Sequence, residues 1–380
     1  MKLSKAIISL FIALLFGACL IAQETSQLKM TELNSLPTTV IGENSLGFAG
    51  MMGGVHHNIV IAGGGANFPD DLPWEGGGKE WYSTIYLMES GNWRLSATVF
   101  PMPLAYGASV STDDGVLIIG GDNREGVSDK VFLLSYNKAK NNLDLVSYPD
   151  LPEPLAYTAA VISDGYVYVA GGMNAEKSTN SFYRMDLKKK QVWEKLADFP
   201  GEPRAVHAMA VQETSNSRNI FLIGGRDQSK GQLSKPLTRY LSYDLNKKEW
   251  IDKGDLMVNG RQKVLMGAVA ETMGSMHILV YGGSDEVLFR ELEALGKTIN
   301  GGGNDSLVNS SIAQRDRILN NHPGFSHEIL TFNTITDQWF VLDSVPVQLP
   351  MTTLGIKKDK DLLIVSGEIS PGIRTPNVYS

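Results

Sequence analysis

Gly115-Val116-Leu117-Ile118-Ile119-Gly120-Gly121 is a short aliphatic run that ends in paired glycines, and the chain keeps returning to it. The same turn stands at Ile61-Ala62-Gly63-Gly64, Val169-Ala170-Gly171-Gly172, Leu222-Ile223-Gly224-Gly225 and Val280-Tyr281-Gly282-Gly283. A degenerate sixth copy is Ile364-Val365-Ser366-Gly367. Recurrence about every fifty to sixty residues marks a repeat architecture built from one supersecondary unit. The aliphatic run predicts a strand buried on both faces. The glycines after it permit a bend and a close approach between units. Six copies predict an all-β fold, a six-bladed propeller.

Two more features belong to the repeat. Four turns are followed by a tryptophan in a polar or charged strand, at Gly91-Asn92-Trp93, Gln191-Val192-Trp193, Lys248-Glu249-Trp250 and Asp337-Gln338-Trp339. Several are preceded by a proline-led entry into small residues, as in Pro103-Leu104-Ala105-Tyr106-Gly107, Pro154-Leu155-Ala156-Tyr157-Thr158 and Pro203-Arg204-Ala205-Val206-His207. Small residues suit an inner strand crowded near the axis, and the tryptophan offers a large area to the neighbouring blade. Strand, Gly-Gly, strand, tryptophan is the kelch pattern. The last copy, from Met351, reaches Val378-Tyr379-Ser380 before any tryptophan strand. Leu28 to Leu33 is therefore expected to supply the missing outer strand, with Met30 in the tryptophan's place, because a propeller must suppress its open edges.

Charge and composition narrow the function. Of 380 residues, 43% are hydrophobic and 20% charged, the balance of a globular chain. The formal net charge of -7 is spread over both signs, with no basic stripe to neutralise phosphates, so nucleic acid is not an expected partner. Lys2 and Lys5 precede an apolar run from Ala6 to Ala22, which reads as a signal peptide over residues 1–22, not a membrane span, and predicts an exported, periplasmic protein. Release after Leu20-Ile21-Ala22 leaves residues 23–380 as one propeller. A lipoprotein box ending at Cys19 is the competing route, and Phe16 fits it poorly. Cys19 is the only cysteine, so the mature fold is expected without a disulfide or a thiol nucleophile.

One stretch departs from the repeat. After Gly283 the blade pattern resumes only at His327-Glu328-Ile329-Leu330-Thr331-Phe332. Between them, Val287 to Leu295 and Ser311 to Leu319 space their apolar residues as helices do, and Asn300-Gly301-Gly302-Gly303-Asn304 separates them. This predicts a helical insertion in the fifth blade that caps one end of the central channel; a peripheral decoration is the alternative.

Several polar residues are candidates for a site in that channel. Arg204 opens an inner strand and points to the channel mouth, or bridges two blades as an ion pair. Asn67 and Arg124 follow Gly-Gly turns, where ordinary loop residues also stand. His207 sits among Ala205, Val206 and Ala208, the setting of a structural histidine. Glu286 begins the insertion, as a ligand contact or as a solvated carboxylate. No His/Cys/Asp cluster has metal spacing, and Gly76-Gly77-Gly78-Lys79 lacks the spacing of a P-loop, so no cofactor is expected.

Ser366-Gly367-Glu368-Ile369-Ser370-Pro371-Gly372-Ile373-Arg374-Thr375 resembles the Gly-Glu-x-x-Pro-Gly-x-Arg-Thr signature of bacterial N-acetylneuraminate epimerases, the sialic acid mutarotases. Gly47-Phe48-Ala49-Gly50, Ala62-Gly63-Gly64-Gly65-Ala66, Tyr82-Ser83-Thr84 and the helical insertion are similar to that family too. The order is shifted, with the Glu/Arg blade last, as in a cyclically permuted branch. The resemblance implies a cofactor-independent isomerase acting on a small sugar acid, with Glu368 accepting the anomeric hydroxyl proton and Arg374 pairing with the substrate carboxylate. A solvent-facing or blade-bridging carboxylate is the competing reading of Glu368. A non-catalytic carbohydrate-binding propeller and a protein-interaction scaffold are the competing functions. A kelch-type copper oxidase is disfavoured, because no cysteine is available for its crosslink.

Overall fold

Each paired-glycine turn ends the second strand of a four-stranded antiparallel meander. The computed structural model describes residues 28–38, 44–189 and 192–380. The expected signal peptide, Cys19 and the expected start near Gln23 lie outside the described residues. Blade 2 is representative, with strands Ala108–Thr112, Gly115–Ile119, Val131–Asn137 and Asn142–Tyr148 in that order from the axis outward. Among the described residues five further sheets repeat this order, with inner strands Met52–His56, Ala159–Ser163, Ala208–Glu213, Met266–Met273 and Leu354–Lys358. The fold is the expected six-bladed propeller. The core lies between blades, where second and third strands such as Val116, Ile118, Phe132 and Leu134 pack on Ile61, Ile85 and Leu87 of the preceding sheet.

The blades are stitched together at the axis by a closed ring of backbone hydrogen bonds. Gly50, Tyr106, Tyr157, Val206, Gly267 and Thr352 occupy the same place in the six repeats. Each donates its N–H to the carbonyl of its counterpart in the preceding blade, at 2.6–2.9 Å, and Gly50 closes the ring on Thr352. All six have positive φ, between 47° and 68°. For the four that are not glycine this costs about 1–2 kcal/mol each, offset by the ring they complete.

The glycines of the repeat answer to the next blade. Gly224 has φ 65°, and a Cβ there would lie 2.3 Å from the Leu265 carbonyl oxygen. In blade 6 Ser366 takes this place with φ 58°. Its hydroxyl accepts from the Phe48 N–H at 2.7 Å and faces the Thr375 and Phe48 carbonyls at 2.7 and 2.9 Å, so a polar side chain makes the contact that glycine elsewhere makes room for. The tryptophans bind backwards around the ring: Nε1 of Trp93, Trp193 and Trp250 donates to the Asn34, Pro149 and Ala197 carbonyls of the preceding blade.

Blade 6 combines the two ends of the chain. Glu32–Leu33 pairs antiparallel with Ile373–Tyr379, and Thr31 and Ser380 exchange both backbone hydrogen bonds. The strand is shorter than the expected Leu28 to Leu33, and Met30 lies outside it. Leu36, only 2% exposed, anchors the segment that follows, its N–H bonded to the Pro376 carbonyl.

The insertion forms two helices, α1 (Val287–Gly301) and α2 (Asp305–Asn320), between the second and third strands of blade 5. Asn304 caps α2 by accepting from the N–H groups of Ser306 and Leu307, which is why the chain breaks at the glycines before it. No helix among the described residues is long and apolar enough to cross a membrane.

Candidate active site

The residue after each turn sits beside the axial ring. Ala66, Asp122, Met173, Arg226, Ser284 and Glu368 occupy this position, each paired in an antiparallel bridge with the residue preceding a ring member. Three of them, Arg226, Ser284 and Glu368, line a cavity of about 460 Å³ at this end of the channel. Its floor is formed by the ring residues Tyr106, Tyr157, Val206 and Thr352. Phe289, Leu292 and Glu293 of α1 cover it, with His322 and Phe325 from the segment after α2. The insertion thus caps the channel, as its position after Gly283 suggested.

Glu368 stands on the wall with its side chain 17% exposed. It accepts from the Gly372 N–H at 2.8 Å and from Nη1 of Arg374 at 2.9 Å, and both bonds end on Oε1. The hairpin sets this geometry: Glu368 and Arg374 are cross-strand partners, and the turn through Pro371 and Gly372 (φ 78°) folds an amide back onto the carboxylate. Oε2 has no protein partner among the described residues. Arg374 is turned inward, with its side chain 5% exposed and its guanidinium 4.9 Å from the Phe68 ring centroid. It is not on the cavity wall. The structure therefore joins the two signature residues to each other.

Burial shapes the other groups. The Tyr106 and Tyr157 rings lie with centroids 4.7 Å apart and planes tilted by 30°, and desolvation holds both phenols well above their ordinary pKa, so they stay protonated. The Tyr157 hydroxyl donates to Asp122 at 3.0 Å, and Nε1 of Trp81 donates to the other oxygen at 2.9 Å. The Asp122 carboxyl is nonetheless raised, chiefly by burial. The Lys79 ammonium lies over Tyr106 and Trp81, at 4.2 and 4.7 Å from their centroids, and burial lowers its pKa. Burial also lowers that of His322, whose Nδ1 accepts from the Gly324 N–H at 3.1 Å; its neutral form then carries the proton on Nε2.

The other five candidates fall elsewhere. Arg204 is 1% exposed and donates through Nη1 to the Gly224 and Arg239 carbonyls, both at 3.1 Å. It occupies the core position held by Leu104 and Leu155 in the two preceding blades, and desolvation lowers its pKa to about 10. Asn67 is also buried, bonded to the Gly47 carbonyl and the Tyr82 hydroxyl. Arg124 is exposed and paired with Glu80. Glu286 precedes α1 at the surface, paired with Arg290 at 3.2 Å. His207 lies below the ring, lining a cavity of about 110 Å³, and desolvation brings its pKa down to about 3, which keeps it neutral. Sequence reasoning missed Arg226, Tyr106, Tyr157, Glu293 and His322. For Arg226 a signal existed, since it follows Gly224-Gly225 as Glu368 follows Ser366-Gly367.

Fold and site together define a propeller with a small-molecule pocket, built around a positioned carboxylate at its capped end. A family model described as N-acetylneuraminate epimerase matches residues 18–143 and 148–380. The chain belongs to the N-acetylneuraminate epimerase family. It is 26% identical over 242 residues to the N-acetylneuraminate epimerase of Yersinia enterocolitica, covering 61% of this chain and 56% of that protein. The Salmonella typhimurium protein of the same name is 32% identical over 112 residues, 27% of this chain and 29% of its own. The matched stretches thus span about half or less of these curated relatives. A solved structure of YjhT superposes with a TM-score of 0.60 at 17% identity, covering 91% of this chain and 96% of that one, a likeness of fold.

Proposed function

We propose that this protein is a cofactor-independent isomerase that interconverts the α and β anomers of N-acetylneuraminate. The observation that carries the reading is Glu368, whose Oε1 is fixed by Gly372 and Arg374 while Oε2 is left to the capped cavity. Sialic acid is a cyclic hemiketal with a carboxylate on its anomeric carbon. Glu368 takes the proton of the anomeric hydroxyl, the bond from that carbon to the ring oxygen breaks, and a ketone forms. The ring oxygen takes up a proton, for which the His322 Nε2–H and the Tyr106 hydroxyl are donors on the cavity surface. Rotation of the open chain presents the other ketone face, and the reverse steps close the opposite anomer. Family membership and the names of the relatives support the substrate.

We also propose that the protein is exported and belongs to a permuted branch of the family. The charged, apolar N-terminus supports export to the periplasm through a signal peptide, with Cys19 lipidation as the less favoured route. The kelch-type repeat and the Glu/Arg blade at the end of the chain support a cyclically permuted branch. A sequence match that stops at 61% of the chain beside a fold match over 91% is consistent with such a shift.

Glu368→Gln tests the reading. Glutamine keeps the size of the side chain and removes the base, so anomer exchange followed by proton NMR should fall about 10²–10⁴-fold in a protein that still folds, with a lower thermal midpoint because Arg374 loses its counter-charge. Exchange at the parental rate would remove Glu368 from the chemistry.

A further inference from the structure

Among the six residues that follow the turns, Arg226 is the only cation. It lines the cavity from blade 4, with Ser284 of blade 5 between it and Glu368 of blade 6. Its guanidinium lies 4.9 Å from the Phe289 ring centroid of α1. Its Nε is buried without a hydrogen-bond partner, and among the described residues no carboxylate lies within ion-pair distance of the side chain. Glu293, the strongest acidic influence on it, is committed elsewhere: its two oxygens accept from the Ser234 N–H at 2.8 Å and the Ser234 hydroxyl at 2.6 Å. Arg374 also has a buried Nε without a partner, but it is ion-paired with Glu368 and absent from the cavity wall.

A partly desolvated guanidinium without a counter-ion is unfavourable until an anion reaches it, and its planar fork matches a carboxylate. We propose that Arg226, not Arg374, receives the carboxylate of the sugar acid, and that Arg374 is a positioning residue that fixes Glu368. The inference rests on the epimerase reading and adds how the substrate class is selected. In a 2-keto acid hemiketal one carbon bears both the carboxylate and the hydroxyl that loses its proton. A fork in blade 4 and a base in blade 6 bracket that carbon. Phe289 lies against the guanidinium, so the insertion helps to hold the clamp, and a neutral aldose has nothing to place there.

The test is anomer-exchange kinetics by NMR on sialic acid and on its methyl ester, which has no charged carboxylate. Arg226→Met should raise KM on the acid about 10- to 100-fold with kcat within a few-fold, the loss expected of a charged hydrogen-bonded contact. Arg226→Lys should remain several-fold worse than the parent. On the ester, parent and both Arg226 variants should perform alike. Arg374→Met should instead lower kcat by about 10- to 100-fold at near-parental KM, with Arg374→Lys recovering part of it. If Arg226→Met does not fold, Arg226→Lys on acid against ester makes the same comparison. An active parent whose KM responds to Arg374 and not to Arg226, or equal losses on acid and ester, overturns the assignment alone. A parent that leaves exchange at the background rate overturns the epimerase reading and the assignment with it.

Discussion

The two ends of the axial channel are made by the same six blades and have opposite characters. Above the ring of backbone hydrogen bonds, the positions after the turns hold Ala66, Asp122, Met173, Arg226, Ser284 and Glu368, almost every kind of side chain. Below it, a cavity of about 300 Å³ is lined from all six inner strands, largely by small residues such as Gly53, Gly54, Ser109, Ser111, Ala160, Ala210, Ala270 and Gly355. Convergence explains the lower end. A Cβ on Gly54 would lie 2.4 Å from the Ser111 hydroxyl, and one on Gly355 2.3 Å from that of Tyr281. At the upper end a backbone bridge holds each position while its side chain is free to vary. The strands carry the fold, and the residues just past the turns are where we place the chemistry.

This division can be broken first at the ring. Deleting the chain through Leu33 removes the partner of Ile373–Tyr379 and leaves a long strand edge open in blade 6. We expect loss of soluble protein or concentration-dependent aggregation in light scattering; a monodisperse protein with the parental melt would show that the ring does not need its closing strand. Gly224→Ala should come next. It adds a clash with the Leu265 carbonyl to a positive φ, a cost of about 2–4 kcal/mol in denaturant unfolding. A change below about 0.5 kcal/mol would mean that the turn glycines serve something other than blade contact.

The sequence revealed the ring far better than the pocket. Six turns, their spacing and the interrupted fifth repeat are one-dimensional signals, and they give the blade number and leave the insertion as either a cap or a peripheral decoration. Glu368, which lines the cavity, stood out in the sequence because a signature marks it. The other candidates failed through phase. Asn67 stands one residue beyond Ala66, and in an extended chain one step reverses the face, whereas Arg124 lies in the turn after Asn123 and pairs with Glu80 at the surface. Arg204 stands two residues before ring member Val206, at a position its neighbouring blades fill with leucine. Glu286 and Glu293 both lie at the insertion, yet only docking of α1 on the Ser234 loop decides which of them meets the cavity. Long-range contacts of that kind leave no period to read.

The lower end offers a smaller, pH-dependent test. Burial raises the Glu271 carboxyl to about 7, against the opposing pull of Lys357. A carboxyl whose folded pKa lies above its unfolded value binds more protons folded than unfolded between the two. Its contribution to stability is therefore complete below about pH 4.5 and lost as pH rises through about 7. Glu271→Gln should leave the melting temperature nearly unchanged at pH 5 and raise stability by about 1–3 kcal/mol at pH 8. A gain of the same size at both pH values would assign it to packing, not to the buried charge.

The most direct measurement sets the two channel carboxylates side by side. Anomer exchange of freshly released sialic acid, followed by proton NMR, should be at or near background with Glu368→Gln and at the parental rate with Glu271→Gln. Equal rates in the two variants, or a loss confined to Glu271→Gln, would contradict the claim that the chemistry resides at the capped end.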